Sequence, residues 1–123
     1  MLTHFYFLVN FDVHLVVSGQ PGPKLTPQTA LMPNTYLLAP GKVIFRLTYN
    51  DTFSLVKSVS TDWKIDGNLF KKWPSNKFSY NISRLGNHTM WVTYRFHTEH
   101  NDYYGLKNVN LLIKGNGCAC LLF

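Results

Sequence analysis

Residue types that carry out nucleophilic or acid–base catalysis occur in this chain, but their spacing matches no catalytic motif. The sequence contains no Gly-x-Ser-x-Gly elbow and no phosphate-binding glycine loop, and its two cysteines are not paired with a histidine. The six Asp and Glu residues are scattered along the chain. We therefore expect a protein that is not an enzyme and that uses no cofactor.

The segment from His97 to Asp102 collects side chains that can bind a metal ion. A helix would place His97 and His100 on one side, but the surrounding alternation of apolar and polar residues predicts a strand end followed by a loop. No further ligand pair with zinc-like spacing occurs elsewhere in the sequence. We interpret the segment as a solvated hairpin loop and expect no metal site.

Three triplets match the acceptor sequence for N-glycosylation: Asn50-Asp51-Thr52, Asn81-Ile82-Ser83 and Asn87-His88-Thr89. All three fall at predicted turns or strand ends, where a bulky glycan has room. We expect Asn50 and Asn87 to be better acceptors than Asn81, which lies close to the predicted sheet. Ordinary polar turn chemistry remains the alternative explanation for all three.

The C-terminal residues Cys120-Leu121-Leu122-Phe123 have the C-a-a-X form of a prenylation signal, and Cys118 would be a second acylation site. Prenylation takes place in the cytosol and N-glycosylation in the secretory lumen, so the two kinds of site conflict. We expect residues 115–123 to be the end of a fragment, with lipidation as the alternative.

Composition limits the architecture that positions these residues. At 123 residues, 46% hydrophobic and 15% aromatic, the chain fits one ordered domain that buries roughly two-thirds of its unfolded surface. Cys118 and Cys120 are too close together to link two sheets, so packing alone must hold the core. No stretch approaches the roughly 20 apolar residues that cross a bilayer. Residues 1–10 lack the features of a secretory signal and are interpreted as an irregular or truncated N-terminus.

The net charge of +6 leaves a second class of function open, because basic and aromatic side chains together can bind polyanions. No RNA-binding signature accompanies them, and nucleic acid is not an expected partner. The alternative is an intracellular or membrane-anchored binding protein. The residues in question are Lys64, Lys71, Lys72, Lys77, Arg84 and Arg95, with Trp73 and Phe78 nearby.

Alternation of apolar and polar residues predicts strands throughout, and no helical period extends over ten residues. In the clearest case, Val43, Phe45 and Leu47 face one side while Lys42 and Arg46 face the other. Five prolines between Pro21 and Pro40 predict a long loop, 18–41, or an irregular edge. We expect residues 11–114 to form an antiparallel β-sandwich of roughly six or seven strands.

Trp63 is predicted to point from a central strand into the space between the sheets. Asp66-Gly67 suits a hairpin turn, because glycine accepts a positive φ. Gly86 serves the same purpose before Met90 and Val92 turn inward.

The order of these motifs resembles the PKD domain, an immunoglobulin-like sandwich, and is similar to the ectodomain copy in PMEL, glycoprotein NMB and transmembrane protein 130. His88 departs from the family pattern, which usually has an aromatic ring after the glycine. The matching residues are Phe45-Arg46-Leu47, Asn50-Asp51, Trp63, Asp66, Gly67, Tyr80 and Gly86.

The resemblance implies a non-catalytic module of a membrane glycoprotein, at the cell surface or in an endosomal or melanosomal lumen. Such a module acts as a spacer, or binds protein or glycan partners through its loops or a strand edge. The family context also implies attachment to the membrane through a span outside these residues.

Overall fold

The computed structural model describes residues 11–23, 33–73 and 75–115, and for residues 70–73 it describes the backbone alone. The predicted N-terminal segment 1–10, both cysteines and the centre of the Pro-rich loop lie outside these ranges. Among the described residues, no helix is long and apolar enough to cross a bilayer.

The described residues form eight strands in two sheets that pack face to face. The first sheet has the order β1-β3-β6 and the second the order β2-β8-β7-β4-β5. All pairings are antiparallel except β2 with β8, which is parallel. This arrangement confirms the predicted all-β sandwich. The strands are β1 (His14–Ser18), β2 (Thr35–Leu38), β3 (Gly41–Thr48), β4 (Ser58–Ile65), β5 (Asn68–Trp73), β6 (Lys77–Ile82), β7 (Gly86–His97) and β8 (Asp102–Ile113).

Trp63 lies at the centre of the core, as predicted, and is fully buried. Its ring centroid is 5.4 Å from that of Phe78 and 6.3 Å from that of Phe45, and both of these residues belong to the opposite sheet. The indole N–H donates a hydrogen bond to Thr61 Oγ1 at 2.8 Å, and the Thr61 hydroxyl donates to the Ser75 carbonyl at 2.5 Å. The polar edge of the ring is therefore satisfied inside the core.

The strand count exceeds the prediction because two short strands lack an alternating pattern. Residues 35–38 lie inside the predicted loop 18–41 but form β2, an edge strand beside the last four residues of β8. Residues 68–73 form β5, which pairs with β4 across a register shift at Trp63/Lys64. β8 begins at Asp102, directly after the hairpin loop that follows β7, and is twelve residues long.

Asp66 and Gly67 form the two-residue turn between β4 and β5, with φ values of 51° and 83°. Two successive positive φ angles define the type I′ hairpin turn, which confirms the predicted hairpin. Gly86 has a φ of 109° where β7 begins. Tyr80 is half-buried and lies on β6 between Phe78 and Ile82.

Candidate functional site

The structure separates the three sequons. Asn50 follows β3 in an exposed turn, where the Thr52 hydroxyl donates a hydrogen bond to the Asn50 side-chain oxygen at 2.9 Å. Asn81 lies on β6 of the first sheet and Asn87 on β7 of the second. All three side chains are solvent-exposed. Asn81 is thus as open as the other two, although it belongs to a sheet.

Asp66 and His88 form an imidazole–carboxylate contact that the sequence pattern did not predict, with a buried ring and a partly exposed carboxylate. His88 is 5% exposed, and its Nδ1 lies 2.6 Å from Asp66 Oδ2 while its Nε2 lies 2.7 Å from the Arg84 carbonyl oxygen. The carboxylate and the carbonyl oxygen are both hydrogen-bond acceptors, so each ring nitrogen of His88 faces an acceptor. The Thr89 N–H donates to the second carboxylate oxygen at 2.9 Å.

The charge of Asp66 is well supported by its neighbours. Burial raises the pKa of this carboxyl, but the hydrogen bond from the Thr89 N–H, the hydrogen bond and charge of His88, and the charge of Arg84 outweigh it. The pKa of Asp66 is therefore below its ordinary value of 3.8. Arg84 itself is largely exposed, with Nη2 3.9 Å from the carboxylate.

This cluster lies beside a cleft of about 260 Å³ that Tyr80 and Asn81 also line. Both nitrogens of His88 and both oxygens of Asp66 have hydrogen-bond partners within the protein. The arrangement ties the β4–β5 turn to the start of β7 and stabilises the fold. One feature of the sequence points to this cluster: His88 is polar but stands at the same alternate positions of β7 as the inward-facing Met90 and Val92.

The predicted hairpin loop after β7 is present. His97 Nδ1 lies 3.1 Å from Asp102 Oδ1 and His97 Nε2 lies 3.1 Å from Ser60 Oγ, while His100 is exposed in the loop. Within the described part of the chain, no three His, Cys, Asp or Glu side chains are grouped to hold a metal ion.

The predicted basic and aromatic side chains that the structure describes do not form one patch. Phe78 is buried in the core, at 4% exposure, so its proposed place on that surface is wrong. Lys77 lies on the first sheet, Lys64 and Arg95 lie on the second, and Arg84 follows β6. The side chains of Lys71, Lys72 and Trp73 lie outside the described residues.

The solvent-facing side of the second sheet, here called the outer face, carries large exposed side chains. Tyr104 and Leu106 on β8 are 71% and 49% exposed, and Trp91 on β7 is 37% exposed. Arg95 lies opposite Tyr104 in the β7–β8 register, with its Cζ 5.7 Å from the ring centroid. A hydrogen bond with Tyr104 raises the pKa of Arg95, so the guanidinium stays cationic. Trp, Tyr and Arg are the residue types that dominate binding energy at protein interfaces.

β8 also has an open side. Its partner β2 pairs only with residues 110–113, whereas β7 pairs with β8 over its whole length. Among the described residues, no strand pairs with residues 102–108 on the side away from β7. We call this side of residues 102–108 the β8 edge; its unpaired backbone groups can accept an added strand.

Comparison with known proteins supports the fold. The chain resembles the extracellular domain of a hybrid two component system from B. thetaiotaomicron over 85% of its own length, with a TM-score of 0.57 and 14% sequence identity. It spans 15% of the length of that protein. At this identity the likeness shows a shared β-sandwich and nothing finer.

A second structure is a lytic polysaccharide monooxygenase from Jonesia denitrificans, which matches 72% of this chain and 63% of its own, with 9% identity. Its TM-score of 0.32 is too low to carry an argument. No protein-family model matches the chain, and no curated protein gives a significant match.

Proposed function

We propose that this chain is a non-catalytic extracellular or luminal β-sandwich module of a membrane glycoprotein, of the PKD type, that binds other proteins through the β8 edge and the outer face. The observation that carries the proposal is the exposure of all three sequon asparagines, Asn50, Asn81 and Asn87, at separate places on one sandwich. A folded domain can accept glycans only where its asparagines are accessible.

Two further observations support this role. The structural neighbour with a TM-score of 0.57 is itself described as an extracellular domain. The side-chain nitrogens of His88 and oxygens of Asp66 are all engaged in hydrogen bonds that hold the β4–β5 turn to β7, a structural role that fits a non-catalytic module.

Mass spectrometry of the protein isolated from cells that produce it naturally tests the compartment. We expect N-glycans at Asn50 and Asn87 and an unmodified Cys120. Replacing Thr52 by Ala, which leaves Asn50 in place, should remove one glycan and leave the glycan at Asn87. Unmodified asparagines together with a prenylated Cys120 would contradict the proposal and favour the cytosolic alternative.

A further inference from the structure

The backbone of β8 shows which of its residues can bond to a new strand. The Asn110 N–H donates to the Asn34 carbonyl at 2.8 Å and the Lys114 N–H donates to the Leu38 carbonyl at 3.0 Å, both on the β2 side. The β7–β8 register is continuous from Gly86–Ile113 to His97–Asp102. Even-numbered residues of β8 therefore direct their backbone groups away from β7 along the whole strand.

On the β8 edge these residues are Asp102, Tyr104, Leu106 and Asn108. The hairpin loop limits the edge on one side, and β2, which begins pairing at Asn110, limits it on the other. The midpoint of the four hydrogen-bonding positions is Gly105. An antiparallel strand related by a two-fold axis at Gly105 would use the whole open stretch.

We propose that the occupant of the β8 edge is a second copy of this chain, paired antiparallel about a two-fold axis at Gly105, so that the two five-stranded sheets become one. The second copy is thus the partner in the protein-binding role proposed above, and the inference of a dimer rests on that proposed function. Tyr104 of one copy lies opposite Leu106 of the other, and Asp102 lies opposite Asn108. Each such pair exchanges two backbone hydrogen bonds.

The side chains of the edge complement one another in this register. Tyr104 and Leu106 are both exposed, and pairing them across the junction buries apolar surface on the outer face. On the inner side Tyr103, whose ring packs against Phe11 in the core, would lie opposite Lys107 of the second copy, so that no like charges meet there. A register centred on Lys107 would instead place two lysines directly opposite, which is unfavourable. The charge pattern therefore favours the register centred on Gly105 over the register centred on Lys107.

Gly105 suits the position on the axis. It would face its own symmetry mate in a non-hydrogen-bonded pair, where the two strands come closest. A Cβ atom at Gly105 would overlap the ring of Tyr94 on β7 of the same chain, so this position is restricted to glycine and adds no side chain to the junction. None of the three sequons lies in β8, so no glycan is attached to the paired strand.

Sedimentation equilibrium of the full chain, carrying Cys118→Ser and Cys120→Ser to prevent adventitious disulfides, tests the dimer. Leu106→Lys should weaken the dimer at least about tenfold, because it replaces an apolar contact at two symmetric places. Thr93→Lys is the matched control: it adds the same charge to the outer face, next to Leu106 but one strand away from the edge. It should leave the dimer unchanged. Equal urea midpoints for the two variants would show that both fold.

Disulfide cross-linking tests the register. A mixture of the Tyr104→Cys and Leu106→Cys proteins should form a covalent heterodimer, because the paired Cα atoms would be about 5.5 Å apart. Either protein alone should cross-link poorly, since identical positions are offset by about two residues along the strand.

A monomer at all concentrations, with the edge taken by another segment of the chain or by a different protein, would overturn the proposal. So would a dimer equally weakened by Leu106→Lys and Thr93→Lys, or preferential cross-linking of Tyr104→Cys to itself. Glycan occupancy is measured separately, so failure of the dimer leaves the extracellular role standing.

Discussion

Replacing His88 by Ala should destabilise the sandwich far more than the loss of an exposed polar side chain would. The ring is buried, and its hydrogen bond to the Asp66 carboxylate is 2.6 Å long, a charged contact that contributes about 2 kcal/mol. The bond to the Arg84 carbonyl, 2.7 Å long, contributes about 1 kcal/mol more. We expect the free energy of unfolding to fall by about 3 kcal/mol.

Urea unfolding at pH 7, followed by tryptophan fluorescence, measures this loss. With a slope of about 1 to 3 kcal/mol per molar urea, the midpoint should fall by about 1 to 3 M. His88→Gln retains one donor group and should lose roughly half as much.

His14 provides the matched control. Its Nε2 lies 3.1 Å from Asp12 Oδ1, a similar imidazole–carboxylate contact, but the two side chains are 65% and 67% exposed. Because exposed ion pairs contribute little, His14→Ala should change stability by less than about 0.5 kcal/mol. If His88→Ala and His14→Ala cost the same, the cluster does not hold the β4–β5 turn to β7, and the reasoning is refuted.

Three further predictions concern the core and the turn. The depressed pKa of Asp66 contributes stability above its unfolded pKa of about 3.8, and this is lost as pH falls through the lower folded value. Urea midpoints below pH 4 should therefore fall less steeply for Asp66→Asn than for the wild type; parallel curves would contradict this. Trp63→Ala should cost about 3 to 5 kcal/mol by calorimetry, and a loss under 1 kcal/mol would contradict a core role. Gly67→Ala should cost about 1 to 2 kcal/mol because its φ is positive, whereas Gly115→Ala, in open space, should be neutral.

The parts of the fold that the sequence predicts are those whose pattern is local. Apolar and polar residues alternate in β3 and β7, because one face of each strand is buried. The inward direction of Trp63 was predicted correctly, since β4 also has buried residues at alternate positions. β2 is only four residues long and follows prolines, while β5 has no alternation to detect. Both strands exist because neighbouring strands offer them hydrogen bonds, which is information that a local pattern does not contain.

The site was less predictable for the same reason. His88 and Asp66 lie 22 residues apart, and only the folded sheet brings the start of β7 beside the turn after β4. A polar residue in an inward-facing row signals that a buried partner exists, but it does not identify that partner. The open β8 edge is equally hidden, because it results from the short reach of β2 and not from any residue of β8.

The two features lie at opposite ends of β8, and different forces hold them. The Asp66–His88 cluster is adjacent to Thr89, which pairs with Asn110 at the point where β2 begins to cover β8. The β8 edge begins beyond that point and ends at the hairpin loop. Within the described ranges, one end of β8 is therefore covered by β2 and lies near the Asp66–His88 contact, and the other end has backbone groups that no strand pairs, beside the exposed side chains of Tyr104 and Leu106. An added strand at the open end would bond to a segment of β8 that its pairing with β7 already holds in the extended conformation.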